Sequence, residues 1–457
     1  MDIGQAAHGR CICYSCDKGM MRFLRNILKL KAYIFEYIPI LLLSFPPLLW
    51  IANGYVLLGH DSGFRLDYLS QLPNLFYSWD PKINYGVDWS MFKGFLITQL
   101  PEVVFSFFSN SFVAGETMTL IFWFFVMGAG MLLLLQRMFP QPSYRFFRIF
   151  TSAFYMYNFY ILNGWFIGER AKFSLYAALP IGFLLLFDVF KKNVSMFRNG
   201  ILFGLLYFVF NGGGVFPLYG ASIVVFSITG ITLTIVRIRE FGWKEIFFSL
   251  HVVIAFLVPF LLFNAYYIVP NIYLMLHNYS SALEGQGGID GLIAWERVIS
   301  KYASALHVLQ MQGLPDWYDN PSHGYALPYL TDKKLIAASF IPALSIGFGL
   351  LLFKFKSLSQ IQKTFLLLCF LLLPFGLVLT MGTHPPTGIL YELAMKKLPG
   401  FAMFRSSFYK FAPAFLFPMI VLSGYYIHKF ILCMRNRIVT TCLGVLLVIG
   451  LLIYHKP

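Results

Sequence analysis

Apolar residues along this chain fall into runs of about 20, divided by short polar stretches. A helix rises 1.5 Å per residue, so a run of that length matches the ~30 Å hydrocarbon core of a bilayer. The pattern predicts spans over 33–58, 117–136, 149–165, 173–190, 199–210, 215–236, 247–272, 336–353, 364–381, 408–428 and 438–454. The expected fold is all-α: a polytopic transmembrane helix bundle of about 11 spans. Span 199–210 is the shortest, because "NGGG" (211–214) breaks the backbone pattern there.

One segment is periodic without being uniformly apolar. Across "FLITQLPEVVFSFF" (95–108), Leu96, Ile97, Leu100, Val103, Val104, Phe107 and Phe108 share one helical face. Thr98, Gln99, Glu102 and Ser106 lie opposite. That division predicts a helix lying in the membrane interface, with Pro101 in its first turn. Leu69, Leu72, Phe76 and Trp79 suggest a second, shorter surface helix near Pro73. Both belong to a long first outer loop, 59–116; later outer loops cover 281–335 and 382–407.

Composition agrees with the spans. The chain is 58% hydrophobic and 12% charged, against roughly 25% charged for a soluble domain. Its formal charge of +15 is spread over loops rather than gathered on one soluble face, which argues against nucleic-acid binding. With the N-terminus inside, every predicted inner loop is basic, from Arg22 and Arg25 through Arg137, Arg148, Arg237 and Lys363 to Lys429 and Arg435. Basic residues collect on the cytoplasmic side of membrane proteins. The expected topology is therefore a cytoplasmic tail (1–32) and a plasma-membrane domain (33–457) whose C-terminus is outside. His8, Cys11, Cys13 and Cys16 match no common zinc-finger spacing. Residues 1–19 read as an unstructured tail or an upstream start codon chosen in error. No predicted outer loop contains cysteine, so no disulfide is expected on the outer face.

The outer loops carry the candidate chemistry. "GHDSGFRLDYLSQLPNLFYSWD" (59–80) places Asp61 and Asp67 just beyond the first span. A carboxylate at the water–lipid boundary suits a substrate with a lipid tail and a polar head, and it can take the proton of a hydroxyl nucleophile. Asp61 is the first candidate for that base and Asp67 the second. The competing reading makes Asp61 an N-cap of the surface helix. Two outer loops hold cations against the prevailing charge bias: "GERAK" (168–172) and "MKKLPGFAMFRSSFYKF" (395–411). Arginine binds phosphate through paired donors, lysine as a point charge. Arg405, Lys410 and Arg170 are the candidates for a donor phosphate, whereas Lys396 and Lys397 fit interfacial snorkelling better. Trp295, Trp317 and Tyr318 suit either carbohydrate faces or an interfacial aromatic belt. His323 and His384 lie near acids, so a divalent metal remains possible, but no tight ligand spacing assigns a metal site.

Several short motifs carry a resemblance: "HDSGFRLDY" (60–68), "WDPKINYG" (79–86), "YMYNFYILNG" (155–164), "YAALP" (176–180), "NAYYIVP" (264–270) and "FRSSFYKF" (404–411). In these the chain resembles polytopic glycosyltransferases of the GT-C class. More narrowly it is similar to the arabinofuranosyltransferase-like membrane domain and related bacterial and archaeal proteins of polysaccharide synthesis. The resemblance implies an aspartate just after the first span, two interfacial helices in the first outer loop, and an inverting transfer. It implies a sugar on a polyprenyl phosphate as donor and a glycan or other cell-envelope molecule as acceptor; no cofactor is certain. Two features depart from the pattern. Asp61 and Asp67 stand further apart than expected, and the chain ends within a few residues of its last span. The alternative class is a transporter or flippase of lipid-linked glycan intermediates, which needs charged groups inside the bundle. Here Glu36, Asp188 and His251 lie near inner span ends, and the span interiors are nearly free of charge. A non-catalytic assembly partner is the third reading.

Asp61→Asn separates base from cap. Asparagine caps helices about as well as aspartate but cannot accept the proton. Transfer to a defined acceptor, compared at equal folded yield, should fall by ~10²–10⁴-fold if Asp61 is the base. Full activity in Asp61→Asn, with lost stability in Asp61→Ala, would mark a cap.

Overall fold

A computed structural model describes residues 33–50, 79–80, 87–88, 94–166, 170–190, 194–211, 216–284, 287–319, 326–353, 358–434 and 437–455. Apart from one two-residue antiparallel pairing, β1 (Trp79–Asp80) with β2 (Val87–Asp88), these residues form helices and the turns between them. The helices of ten or more residues are α1 (Gly94–Ser109), α2 (Phe112–Met138), α3 (Arg145–Met156), α4 (Arg170–Phe190), α5 (Met196–Val209), α6 (Gly220–Phe241) and α7 (Glu245–Glu284). They continue as α8 (Gly288–Ile299), α9 (Ile341–Leu352), α10 (Gln360–Met381), α11 (Gly388–Lys397), α12 (Ser407–Leu432) and α13 (Arg437–Tyr454).

Among the described residues, 6 helices are long and apolar enough to cross a membrane: Phe112–Met138, Lys172–Phe190, Pro217–Phe241, Glu245–Tyr273, Gln360–Met381 and Ser407–Leu432. A seventh crossing is formed if Lys333–Ser339 and Ile341–Leu352, bent by 45°, count as one. This is a multi-pass membrane protein. The remaining predicted spans are shorter or interrupted. Residues 149–165 divide between α3 and a second helix, Phe159–Phe166. Asn158 causes the break: its side chain donates to Tyr155 C=O (3.0 Å) and accepts from Ile161 N–H (3.2 Å), so it replaces the backbone ladder and starts a new helix. Near the N-terminus, helix Tyr37–Leu42 gives way to a 3₁₀ turn, Pro46–Trp50. Two successive prolines lack the N–H groups that an α-helix needs there.

Helix α12 is the centre of the bundle. Its residues from Phe411 to Tyr426 are buried, enclosed by α3, α6, α9 and α10. Water offers no drive for helix association inside lipid, so close backbone approach matters instead. At Gly376 of α10 an added Cβ would stand 2.6 Å from the Phe415 nitrogen of α12. Gly200 and Gly204 of α5 likewise meet the α7 backbone at Ala255 and Pro259. Helix α7 turns Leu250, Val253, Ile254, Leu257, Leu261 and Leu262 outward, an apolar face that only lipid or another apolar surface can cover.

Helix α1 is amphipathic as its periodicity predicts, and it is oriented for lipid. Leu100, Val104, Phe107 and Phe108 are exposed, while Thr98 and Glu102 are buried toward the protein. Val103, assigned by periodicity to the apolar stripe, is buried as well because it lies at the stripe's edge.

The ends of the long helices sort into two groups. At one end, here called the basic end, Arg148 is bound to Glu36 through two nitrogens and donates to Phe139 C=O (2.6 Å) and Gln141 C=O (2.9 Å). Gln136 donates to the same carboxylate at 3.2 Å. Arg137 pairs with Asp188 at 3.2 Å, and Arg237 binds Glu245 and Phe190 C=O. Arg148 and Glu36 are both buried. Removing one member of such a pair strands the other charge, at a cost of about 3–5 kcal/mol. Arg148→Ala should therefore lower unfolding stability in detergent by about that amount. Glu36→Leu/Arg148→Met, which removes both charges, should lose much less; equal losses would show that packing, rather than the stranded carboxylate, sets the cost.

Candidate functional site

The opposite end of the bundle gathers polar side chains from segments far apart in the chain. Its anchor is Glu296 on α8. Leu292, Ile293 and Glu296 form the buried stripe of that helix, so the carboxylate occupies a position where periodicity calls for an apolar residue. It is fully buried and sits at the N-terminus of α12. The Ser406 N–H donates to it, and so does the Ser407 N–H, at 3.2 and 3.3 Å to the two oxygens. Helix N-termini leave four N–H groups without partners and carry partial positive charge, and a carboxylate answers both. Ser406 adopts the left-handed conformation (φ 65°), which turns its N–H toward Glu296.

Neighbouring contacts hold this cap in place. Gly382 (φ 57°) lies against it; a Cβ there would stand 2.2 Å from Ser407 Oγ and 2.3 Å from Glu296 Oε1, so glycine is required on both conformational and steric grounds. Ser407 Oγ donates to Thr380 C=O at 3.3 Å, and Ser300 and Thr383 share a hydroxyl bond of 2.6 Å. The Tyr391 hydroxyl donates to Phe404 C=O at 2.8 Å. Arg297 reaches Glu392 with two nitrogens, at 2.6 and 2.8 Å, and so fastens α8 to α11 on the surface.

The first turn of α12 joins this cap to a second group. The Tyr409 hydroxyl binds the Asp316 carboxylate. Over the Tyr409 ring lies the buried Lys172, with Nζ 4.2 Å from the ring centroid, a cation–π distance. Tyr160 donates to Tyr409 C=O at 3.1 Å. Carboxylates and cations from α4, α8, α12 and the 314–319 segment thus meet at one end of the bundle.

The residues expected from sequence distribute unevenly here. Asp61 and Asp67 lie outside the described residues, as do the greater part of the first outer loop and His323. Arg170 opens α4. Arg405 is half-buried immediately before α12, and Lys410 follows in its first turn, where its charge acts on Glu296. Trp295 is half exposed and donates to Ser406 Oγ at 3.3 Å, so it joins the cap at the residue that follows Arg405. Trp317 is buried, packed edge-on against Phe159 with its indole N–H on Asn163 Oδ1 at 3.3 Å. Tyr318 stacks on Tyr302 at 4.2 Å between centroids. No cluster of three or more His, Cys, Asp or Glu side chains suited to a metal occurs among the described residues. A cavity between α6 and α10 shares no residue with this site.

Sequence reasoning noted Glu296 and Asp316 as acids beside loop aromatics and Tyr409 within "FRSSFYKF", and gave none of the three a role of its own. For Glu296 a signal existed: an acid on the apolar stripe of "GLIAWERVI". The roles of the other two become visible only when the 314–319 segment folds against α12.

Comparison with family models, with curated proteins and with solved structures yields no match.

Burial pushes the Glu296 carboxyl up from the ordinary 4.5 to about 7, and the Ser407 and Ser406 donors and the Lys410 charge offset only part of that rise. A carboxyl raised in the folded state favours folding below its unfolded pKa, and that contribution is lost as pH climbs through the folded value. Stability should therefore fall by about 3 kcal/mol as pH rises from 4.5 through 7. Glu296→Gln should flatten this part of the pH profile of unfolding. An unchanged profile would mean that another group titrates there.

Proposed function

We propose that this protein is a GT-C-type membrane glycosyltransferase that moves a sugar from a polyprenyl-phosphate donor to a glycan or other cell-envelope acceptor. The observation that carries the reading is the gathering of Lys172 and Lys410 with Glu296, Asp316 and Trp295 at the end opposite the basic one, with Arg405 next to Ser406 in the chain. Charged chemistry then belongs to a membrane surface, where a lipid-linked sugar presents its head. By the positive-inside bias the basic end faces the cytoplasm and the site faces outward. The proposal includes about 11 spans in the plasma membrane, an inner N-terminus and an outer C-terminus.

In this reaction the acceptor oxygen forms a bond to the anomeric carbon as the bond from that carbon to the phosphate oxygen breaks. The electron pair leaves with the phosphate, and the acceptor proton passes to a carboxylate. Asp61 is the proposed base, with Asp67 second. Arg405 and Lys410 supply positive charge to the departing phosphate, with Arg170 at the start of α4 as the third candidate; Trp295 offers an apolar ring to a sugar face. Trp317 and Tyr318 support the wall around Asp316.

Three measurements test this. Arg405→Lys keeps the charge and loses the fork; the donor KM should rise about tenfold or more, the scale of a lost charge-assisted hydrogen bond. No change would leave Arg405 a snorkelling residue. Cells lacking the protein should accumulate a sugar-charged polyprenyl phosphate, whereas a full-length glycan trapped on the cytoplasmic leaflet would favour flipping. In a background without native cysteines, a membrane-impermeant thiol reagent should label Ser322→Cys and spare Ser357→Cys. The reverse would put Asp61 in the cytoplasm and remove the geometry of the proposal.

A further inference from the structure

The basic end holds a feature that the proposed reaction does not use. Helices α6 and α10 pack side by side and run in opposite directions, so the end of α6 lies beside the start of α10. A cavity of about 500 Å³ opens between them. Its lining is ordered by height. Arg239 and Glu240 on the last turn of α6 and Gln360, Lys363 and Thr364 at the start of α10 form the polar part of the lining. Deeper, toward the middle of the bundle, the walls are Val236, Leu366, Leu367 and Phe370. Lys363 and Phe370 are two turns apart on α10, about 10 Å along its axis.

Cations above an apolar slot match one kind of ligand: an amphiphile with an anionic head and a hydrocarbon tail. Arg239 and Lys363 are exposed and have no carboxylate partner in an ion pair among the described residues. Leu367 is also exposed, and it faces the region that acyl chains fill. A free phosphate would use the polar part and leave the apolar wall uncovered. We infer that the cleft between α6 and α10 is a binding site for an anionic phospholipid, with the phosphate between Arg239 and Lys363 and an acyl chain along Leu367 and Phe370. Glu240 opposes the head and limits its affinity.

The test is native mass spectrometry of the full-length protein in detergent, titrated with phosphatidylglycerol or phosphatidylcholine. Wild type should retain one phosphatidylglycerol in preference to phosphatidylcholine. Each surface cation contributes about 1 kcal/mol to anionic-lipid attraction, or about fivefold. Arg239→Gln/Lys363→Gln should therefore weaken phosphatidylglycerol binding by about tenfold or more. Lys396→Gln/Lys397→Gln, which removes two cations elsewhere, should leave it unchanged. Glu240→Gln should tighten it by a few fold, and this arm decides the matter if the double variant fails to fold. Equal retention of both lipids, no loss in a folded double variant, no gain in Glu240→Gln, or displacement of the lipid by equimolar glycerol phosphate would each overturn the proposal.

Discussion

The first turn of α12 sets the terms for the rest of this end of the molecule. A helix whose first turn is buried at the end of a bundle must satisfy its leading N–H groups without water, or pay the full desolvation penalty of each. Here Glu296, carried by a different helix, supplies the acceptors. Once that carboxylate is fixed, the surroundings are constrained. Gly382 cannot bear a side chain, Ser406 must take a left-handed turn, and α8 must lie where its apolar stripe and Glu296 both reach inward. Tyr409 and Lys410 are then delivered to the surface facing Asp316, Lys172 and Glu296.

The middle of the bundle obeys a different rule. Lipid replaces water, so apolar side chains need no burial and outward faces are rich in leucine, valine and isoleucine. Stability there comes from glycine-mediated backbone approach, as at Gly200, Gly204 and Gly376. Helix α1 illustrates the inversion: Phe107 and Phe108 face out while Glu102 faces in. In water that arrangement would be unstable; at a bilayer surface it anchors the helix.

What the sequence made legible follows from these two rules. Long apolar helices are a one-dimensional signal, so Phe112–Met138, Gln360–Met381 and Ser407–Leu432 are evident from hydropathy alone. Interruptions are harder. Asn158 breaks a predicted span because its side chain competes for the backbone, and that competition depends on local geometry rather than composition. The site was legible by residue type and obscure by partnership. Arg405, Lys410 and Trp295 stood out as polar or aromatic residues in outer loops, and the fold brings all three to the cap of α12. Trp317 stood out for the same reason and is a core residue, since an indole at a membrane surface and an indole under a loop look alike in sequence. Glu296 looked like one more loop acid until its neighbours Leu292 and Ile293 were seen to point inward with it.

The placement of charge also bears on the choice between transfer and transport. A transporter moves its cargo past polar groups that line a path through the bundle. The buried ionic pair at the basic end offers no such opening. Glu36 accepts from Arg148 and Gln136, and Arg148 Nη1 donates to the Phe139 and Gln141 carbonyls. Freeing either side chain to meet a passing headgroup would cost the several kcal/mol of a stranded buried charge. Between that pair and the cap at Glu296 runs α12, whose buried side chains from Phe411 to Leu422 are all apolar. A charged or sugar-bearing head crossing along this central helix would meet no polar side chain of α12 itself between Phe411 and Leu422. In the reaction proposed above, chemistry is confined to one surface and faces no such barrier, because the lipid tail would stay in the bilayer while the head is held at the bundle's end.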